Sequence, residues 1–299
     1  MITLDRREFV QAAMGATLAP TAAGGTGRAK GPWGDGVRLV ISLSMQFEAG
    51  AQPERGASGP FPPLDPSIAD LPMATWYDYG AREGLPRLLD LWDRHRVHVT
   101  SHMVGQAVER HPELAREIAQ RGHEVAAHGQ TWTPQYELTE AQERASIAAS
   151  VATLERVTGQ RPVGFNAFWL RGTPRTLELL VEHGFRYHID DLSRDEPWVR
   201  TVGGRPFAVV PYTLRNNDIV RFDSPAMTAR AFGEELKDEF TQLYAEAATR
   251  RRMMSISVHD RIGGTPARVR VLDEFLTWAK RQPGVVFWRK DTIARFVLP

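Results

Sequence analysis

The chain has 299 residues, of which 42% are hydrophobic and 24% charged, a balance that suits one large α/β domain with its own core. With 37 basic against 36 acidic side chains the net charge is +1. No basic field is available to hold phosphate backbones, which argues against nucleic acid as a partner. Cysteine is absent, so disulfides, thiolate metal sites and a cysteine nucleophile are excluded. No apolar run approaches the ~20 residues that span a bilayer, so no stable membrane insertion is expected.

The first thirty or so residues read differently from the rest. Arg6-Arg7-Glu8-Phe9-Val10 precedes a mildly apolar stretch, Ala12 to Ala19, and then small residues and glycines. A charged head, a short apolar middle and a small-residue exit are what an export signal needs. Arg6-Arg7 followed by Phe9 looks like a twin-arginine signal, with cleavage expected near Ala22-Ala23 and export to the periplasm.

After a Gly-rich linker from Gly24 to Gly36, apolar β-rich runs alternate with helical patterns over residues 37–299, read as one domain. Val37–Phe47 reads as a strand, and Ala49 to Pro72 as a long Pro-, Gly- and Asp-rich loop, a candidate either to cover a site or to mediate self-association. Leu85–Arg94 has helical spacing. Val97–His102 is a strand, Pro112–Arg121 a helix with Pro in its first turn, and Glu124–His128 a strand. Thr139–Val157 is a helix opening on the capping-box spacing Thr139 to Gln142. Val163–Phe165, Tyr187–Asp190 and Ala208–Tyr212 are strands, and Pro174–His183 a helix closed by Gly184. Phe232–Thr249 and Pro266–Arg281 are helices around the strand Met253–Val258. Val285–Trp288 is the last strand and Asp291–Phe296 the last helix. This alternation implies a parallel sheet with right-handed crossovers. About seven or eight such units point to a distorted β/α barrel.

Polar residues able to do chemistry gather where strands end. Glu48, His128, Asn166, Asp190, Asp191, Tyr212 and His259 each end or follow a strand. In a barrel these positions share one face, the face where β/α barrels place their active sites.

Five segments, in order, resemble motifs of the polysaccharide deacetylase (NodB-homology) superfamily, and most of all its allantoinase-like and cyclic-imidase-like branch. They are Gln46-Phe47-Glu48-Ala49-Gly50, Gly122-His123-Glu124 through His128-Gly129-Gln130-Thr131-Trp132, Phe165-Asn166 through Arg171, Tyr187-His188-Ile189-Asp190-Asp191, and Ser257-Val258-His259-Asp260-Arg261. The resemblance implies a distorted (β/α)7–8 barrel of the deacetylase type. It puts Glu48 in the place of the catalytic base and His259 in that of the general acid. It puts Ala49 where a metal-binding aspartate falls and Trp132 where the second metal-binding histidine falls. Asn166 occupies the usual arginine slot, with Arg171 displaced beyond it.

Amide hydrolysis needs an activated water, a stabilised oxyanion and a protonated leaving nitrogen. Glu48 could take the proton from water and His259, titrating near neutrality, could protonate the nitrogen. His128 could polarise the carbonyl or hold a metal. Asp190 could orient a catalytic histidine or arginine, or simply end its strand. Arg171 could anchor a substrate carbonyl or carboxylate, or pair with Asp190. Trp132, Trp169 and Trp288 could wall a flat apolar pocket, or belong to the core. His123, His95, His111 and His183 read as structural.

A divalent ion such as zinc needs about three protein ligands. With Ala49 and Trp132 in place the inherited site is broken, and no cofactor is expected. A relocated site would use His128, His102 and Glu48. The expected function is therefore hydrolysis of a non-peptide carbon–nitrogen bond, in a small cyclic amide or ureide or in an N-acetylated carbohydrate. Two alternatives stand beside it: a metal-dependent polysaccharide N-deacetylase using the relocated site, and a non-catalytic exported binding protein. Association with further copies of the chain is left open.

Overall fold

The computed structural model of the chain describes residues 30–57, 59–65, 67–223 and 227–299. The twin-arginine segment and its cleavage position lie outside the described residues.

Nine strands form one curled sheet. They are β1 (Leu39–Phe47), β2 (Thr100–Met103), β3 (Glu124–Ala127), β4 (Gly164–Phe165), β5 (Tyr187–His188), β6 (Trp198–Val202), β7 (Arg205–Val209), β8 (Met253–His259) and β9 (Val285–Phe287). Their order is β8-β1-β2-β3-β4-β5-β7-β6, with β9 also on β1. Every pairing is parallel except β6 with β7. Helices of the β–α units cover the outside, so the expected deacetylase-type α/β barrel is what forms, curled but not closed. Among the described residues, the gap between the β7 and β8 sides is crossed by an isolated bridge, Asn217 to Ser257.

The pleat of β1 explains how a fully buried strand carries polar residues. Leu39, Ile41, Leu43, Met45 and Phe47 pack outward in the main core with helix residues such as Leu88 and Trp92. Val40 belongs to an inner core with Tyr187, Ala208 and Met253. Alternation puts Ser42, Ser44, Gln46 and Glu48 on that same inner face. The barrel interior is thus apolar at some levels and polar at others, and Glu48 stands at its upper rim.

Several elements fall outside the sequence reading, among them the short helices Gly105–Arg110, Asp218–Asp223 and Asp260–Gly263. Leu71–Tyr79 is a helix, where a loop is expected up to Pro72; Asp70 caps it by accepting from the Met73 amide, with Pro72 in the first turn. It runs through a π-helical turn, Gly80–Gly84, into the helix Leu85–His95. The antiparallel hairpin strand β6 is also unexpected, and it shows half-buried alternation. The capping box at Thr139 forms as expected.

Candidate active site

Glu48 follows β1, His128 follows β3 and His259 ends β8, and the curl of the sheet brings all three together. The Glu48 Oε1 atom lies 3.5 Å from His128 Nε2 and 3.6 Å from His259 Nε2. Both separations exceed a direct hydrogen bond, so the three groups surround a common point. They line one cavity of about 520 Å³, open to solvent, whose polar floor also includes Gln46, Asn166 and Asn217.

Each group is held by a partner of its own. His128 Nδ1 lies 2.8 Å from the Asn166 carbonyl oxygen. That bond requires the proton on Nδ1, which in the neutral ring leaves the Nε2 lone pair facing Glu48. His259 Nδ1 lies 2.6 Å from Asp218 Oδ1, and the other Asp218 oxygen accepts from the His259 backbone amide at 2.7 Å. Asp218 is wholly buried. Burial alone would lower the His259 pKa, but Glu48 and Asp218 reverse this and raise it. Its imidazolium is thereby favoured.

The second oxygen of Glu48 accepts from Arg261 Nη1 at 2.8 Å. Burial acts to raise the Glu48 pKa, yet the charges of His259 and Arg261 hold it far below the usual carboxylate range. Arg261 is itself buried, and its guanidinium carbon lies 4.7, 4.4 and 5.5 Å from the ring centroids of Trp76, Tyr77 and Trp132. Asp260 braces the same corner, accepting from the Glu48 and Ala49 amides at 3.1 and 3.0 Å. The π-helical turn packs directly on this segment. A side chain on Gly84 would run into the Asp260 carbonyl oxygen, and one on Gly264 would meet Gly84. These two glycines allow the close approach that seats Asp260 and Arg261.

The remaining candidates separate. Asn166, Trp132 and Trp169 line the cavity. Asp190 does not: its carboxylate accepts from the Asn166 side chain at 2.9 Å and from the Ala167 amide at 3.0 Å. It fixes the loop whose carbonyl holds His128, rather than contacting the reacting point. Arg171 is exposed, lies outside the cavity lining and makes no ion pair with Asp190. Trp288 packs on Trp33 and Phe296, in the inner core away from the cavity. It therefore walls no pocket there: β9 pairs with the lower half of β1, Val285 opposite Leu39.

His102 sits opposite Gln46 on β2, one level below Glu48, and both its ring nitrogens are buried without a hydrogen-bond partner. Burial, with Lys290 and His128 nearby, lowers its pKa well below normal. Among the described residues no three histidine or carboxylate groups gather in a metal-ligand arrangement, and His102 stands one level below Glu48 and His128. His123 is structural as expected, its Nδ1 accepting from the Val99 amide at 3.1 Å.

Asp218, Arg261 and Asn217 were not singled out in the sequence. Arg261 had a signal, since it adjoins His259-Asp260. Asp218 and Asn217 had none: Asp218 opens a helix of only six residues, Asp218–Asp223, too short for a repeating pattern, and Asn217 precedes it.

Residues 70–188 match the polysaccharide deacetylase family. A putative polysaccharide deacetylase of Schizosaccharomyces pombe is 25% identical, with 88% of this chain and 91% of that protein covered. The crystal structure of a probable polysaccharide deacetylase from Pseudomonas aeruginosa PAO1 superposes with a TM-score of 0.81 at 34% identity, covering 87% of this chain and 91% of that one. That of PuuE allantoinase superposes with a TM-score of 0.83 at 32% identity, covering 94% and 97%. On these similarities the chain belongs to the polysaccharide deacetylase (NodB-homology) family, whose deacetylase and allantoinase homologues are carbon–nitrogen hydrolases.

Proposed function

We propose that this chain hydrolyses the carbon–nitrogen bond of a small cyclic amide or ureide. The observation that carries this reading is the convergence of Glu48, His128 and His259 on one point of a small cavity. A water at that point donates one hydrogen toward Glu48 Oε1 and the other toward the His128 Nε2 lone pair. Its oxygen bonds to the substrate carbonyl carbon while Glu48 takes the proton. His259, held protonated by Asp218 and Glu48, gives its proton to the ring nitrogen as the C–N bond breaks. The steps are coupled, because the His259 charge is the main attraction that depresses Glu48. When His259 releases its proton, Glu48 becomes a better base. The products are a carboxylic acid and a released amine or amide nitrogen in one opened chain. For the oxyanion we assign Asn217, which lines the cavity; its Oδ1 accepts from the Ile219 amide at 3.2 Å, and its Nδ2 donates a long 3.4 Å bond to Tyr212.

Family members often use a divalent metal. The residues present here fit one poorly. Ala49 offers only a methyl group, Trp132 replaces an imidazole, and Arg261 already places a cation on Glu48. Hydrolysis without added metal is therefore part of the proposal. The N-acetylated carbohydrate remains the second reading, favoured by the family match. A screen of acetylated glucosamine oligomers, allantoin and cyclic imides, with and without zinc, separates them; turnover of the sugars alone, and only with zinc, would reverse the proposal. We also propose export through the twin-arginine route, on the strength of Arg6-Arg7 and Phe9. Replacing both arginines by lysine should then abolish periplasmic accumulation.

A further inference from the structure

The cavity is chemically two-sided. Its floor holds the polar cluster. Its walls come from two segments: Phe168–Leu170 after β4, and the stretch after β7 that carries Leu214 and the helical Ile219 and Val220, with Trp132 also in the lining. Among the lining side chains, the carboxylate and the imidazoles are Glu48, His128 and His259, all on the floor. Arg171 is outside the lining, and Arg261 is engaged with Glu48 beneath it. Among the described residues, no wall group is therefore placed to pair with a carboxylate or ammonium on a substrate.

The wall is also built rather than incidental. Trp169 and Leu170 are successive non-glycine residues at φ 52° and 61°, a strained conformation that persists only when the surroundings enforce it. The surroundings do: the Asp190 carboxylate takes the Ala167 amide, and Gln135 Oε1 takes the Phe168 amide at 3.0 Å. Trp169 is 55% exposed and Leu214 44% exposed. Large apolar side chains held at a cavity rim in water mark a contact surface for an apolar ligand.

From this wall we infer that the substrate is neutral and carries a bulky apolar group beside the scissile carbonyl, clamped by Trp169, Leu170 and Leu214. The amide end of the inference rests on the hydrolytic reading above; the apolar flank rests on the wall alone. Trp169 and Leu214 are thus specificity-determining residues, and a polar ureido or sugar flank meets the wrong surface.

The test uses hydantoin, phenylhydantoin and carboxymethyl hydantoin, with an acetylated glucosamine oligomer as a fourth ligand. Binding is measured by calorimetry on the Glu48→Gln protein, and hydrolysis on wild type. Phenylhydantoin should bind on the order of 10- to 100-fold tighter than hydantoin, and the carboxymethyl compound no tighter than hydantoin. Trp169→Ala should erase most of that preference, and Leu214→Asn, a surface change with little effect on folding, should weaken it. Equal binding of all four, absence of binding, or preference for the charged or sugar ligand overturns the inference. Preserved binding preference with no hydrolysis by wild type would leave the apolar-flank inference standing and retire the hydrolytic proposal instead.

Discussion

Arg261 Nη1 lies 2.8 Å from Glu48 Oε2, and both side chains are almost completely buried. A fixed cation therefore sits against the carboxylate at the centre of the site, on the side away from the cavity. Removing it leaves two buried carboxylates, Glu48 and Asp260, short of their countercharge. Arg261→Met should destabilise the fold by about 3–5 kcal/mol, measured by urea denaturation at neutral pH. Adding Glu48→Gln should recover part of that loss, and strictly additive effects would contradict the pairing.

Asp218 acts on chemistry through His259. Asp218→Asn keeps the shape but removes one of the charges that raise the His259 pKa. The value of kcat should fall on the order of 100-fold or more, with KM little changed. Because the acid must be protonated, wild-type kcat declines as pH rises through the raised pKa. In the variant that decline should begin at lower pH. An unshifted profile would remove Asp218 from the pathway.

The same shifts set the stability profile. His259 has a folded pKa above its ordinary 6.5. Its contribution is complete below that value and is lost as pH rises through the folded pKa. Glu48 has a folded pKa below its ordinary 4.5. Its contribution is present above that value and is lost as pH falls through the folded pKa. Glu48→Gln should therefore flatten the acid side of a Tm-against-pH curve, a change readable by calorimetry.

Trp288 and Trp169 should behave oppositely. Trp288 is packed between Trp33 and Phe296, away from the cavity, so Trp288→Ala should cost about 3–5 kcal/mol of stability. Its KM should stay at the wild-type value. Trp169→Ala should raise KM with a small effect on Tm, because the side chain is largely exposed.

How much of this was legible beforehand follows from the range of the interactions. Strands and most helices carry local signals: alternation, Pro in the first turn, the capping box at Thr139. Glu48, His128, Asn166 and His259 were readable because each ends or follows a strand of the barrel. Trp288 and Asp190 obeyed the same rule yet fell elsewhere. The register of β9 on β1 and the hydrogen bonds of Asp190 to Asn166 and Ala167 decide their places, and neither is encoded in nearby sequence. Asp218 meets His259 across 41 positions of chain, and Arg261 meets Glu48 across 213. Such pairings exist only once the sheet has curled. The glycines at 84 and 264 likewise gain meaning only from each other.

The central claim is that Glu48 activates water at the point it shares with His128 and His259. The most direct test is single-turnover hydrolysis of the cyclic amide that wild type cleaves fastest, compared with Glu48→Gln under saturating enzyme. The chemical rate should fall on the order of 1000-fold or more in Glu48→Gln, with ligand affinity within a few-fold of wild type. Equal rates for the two proteins would contradict that claim.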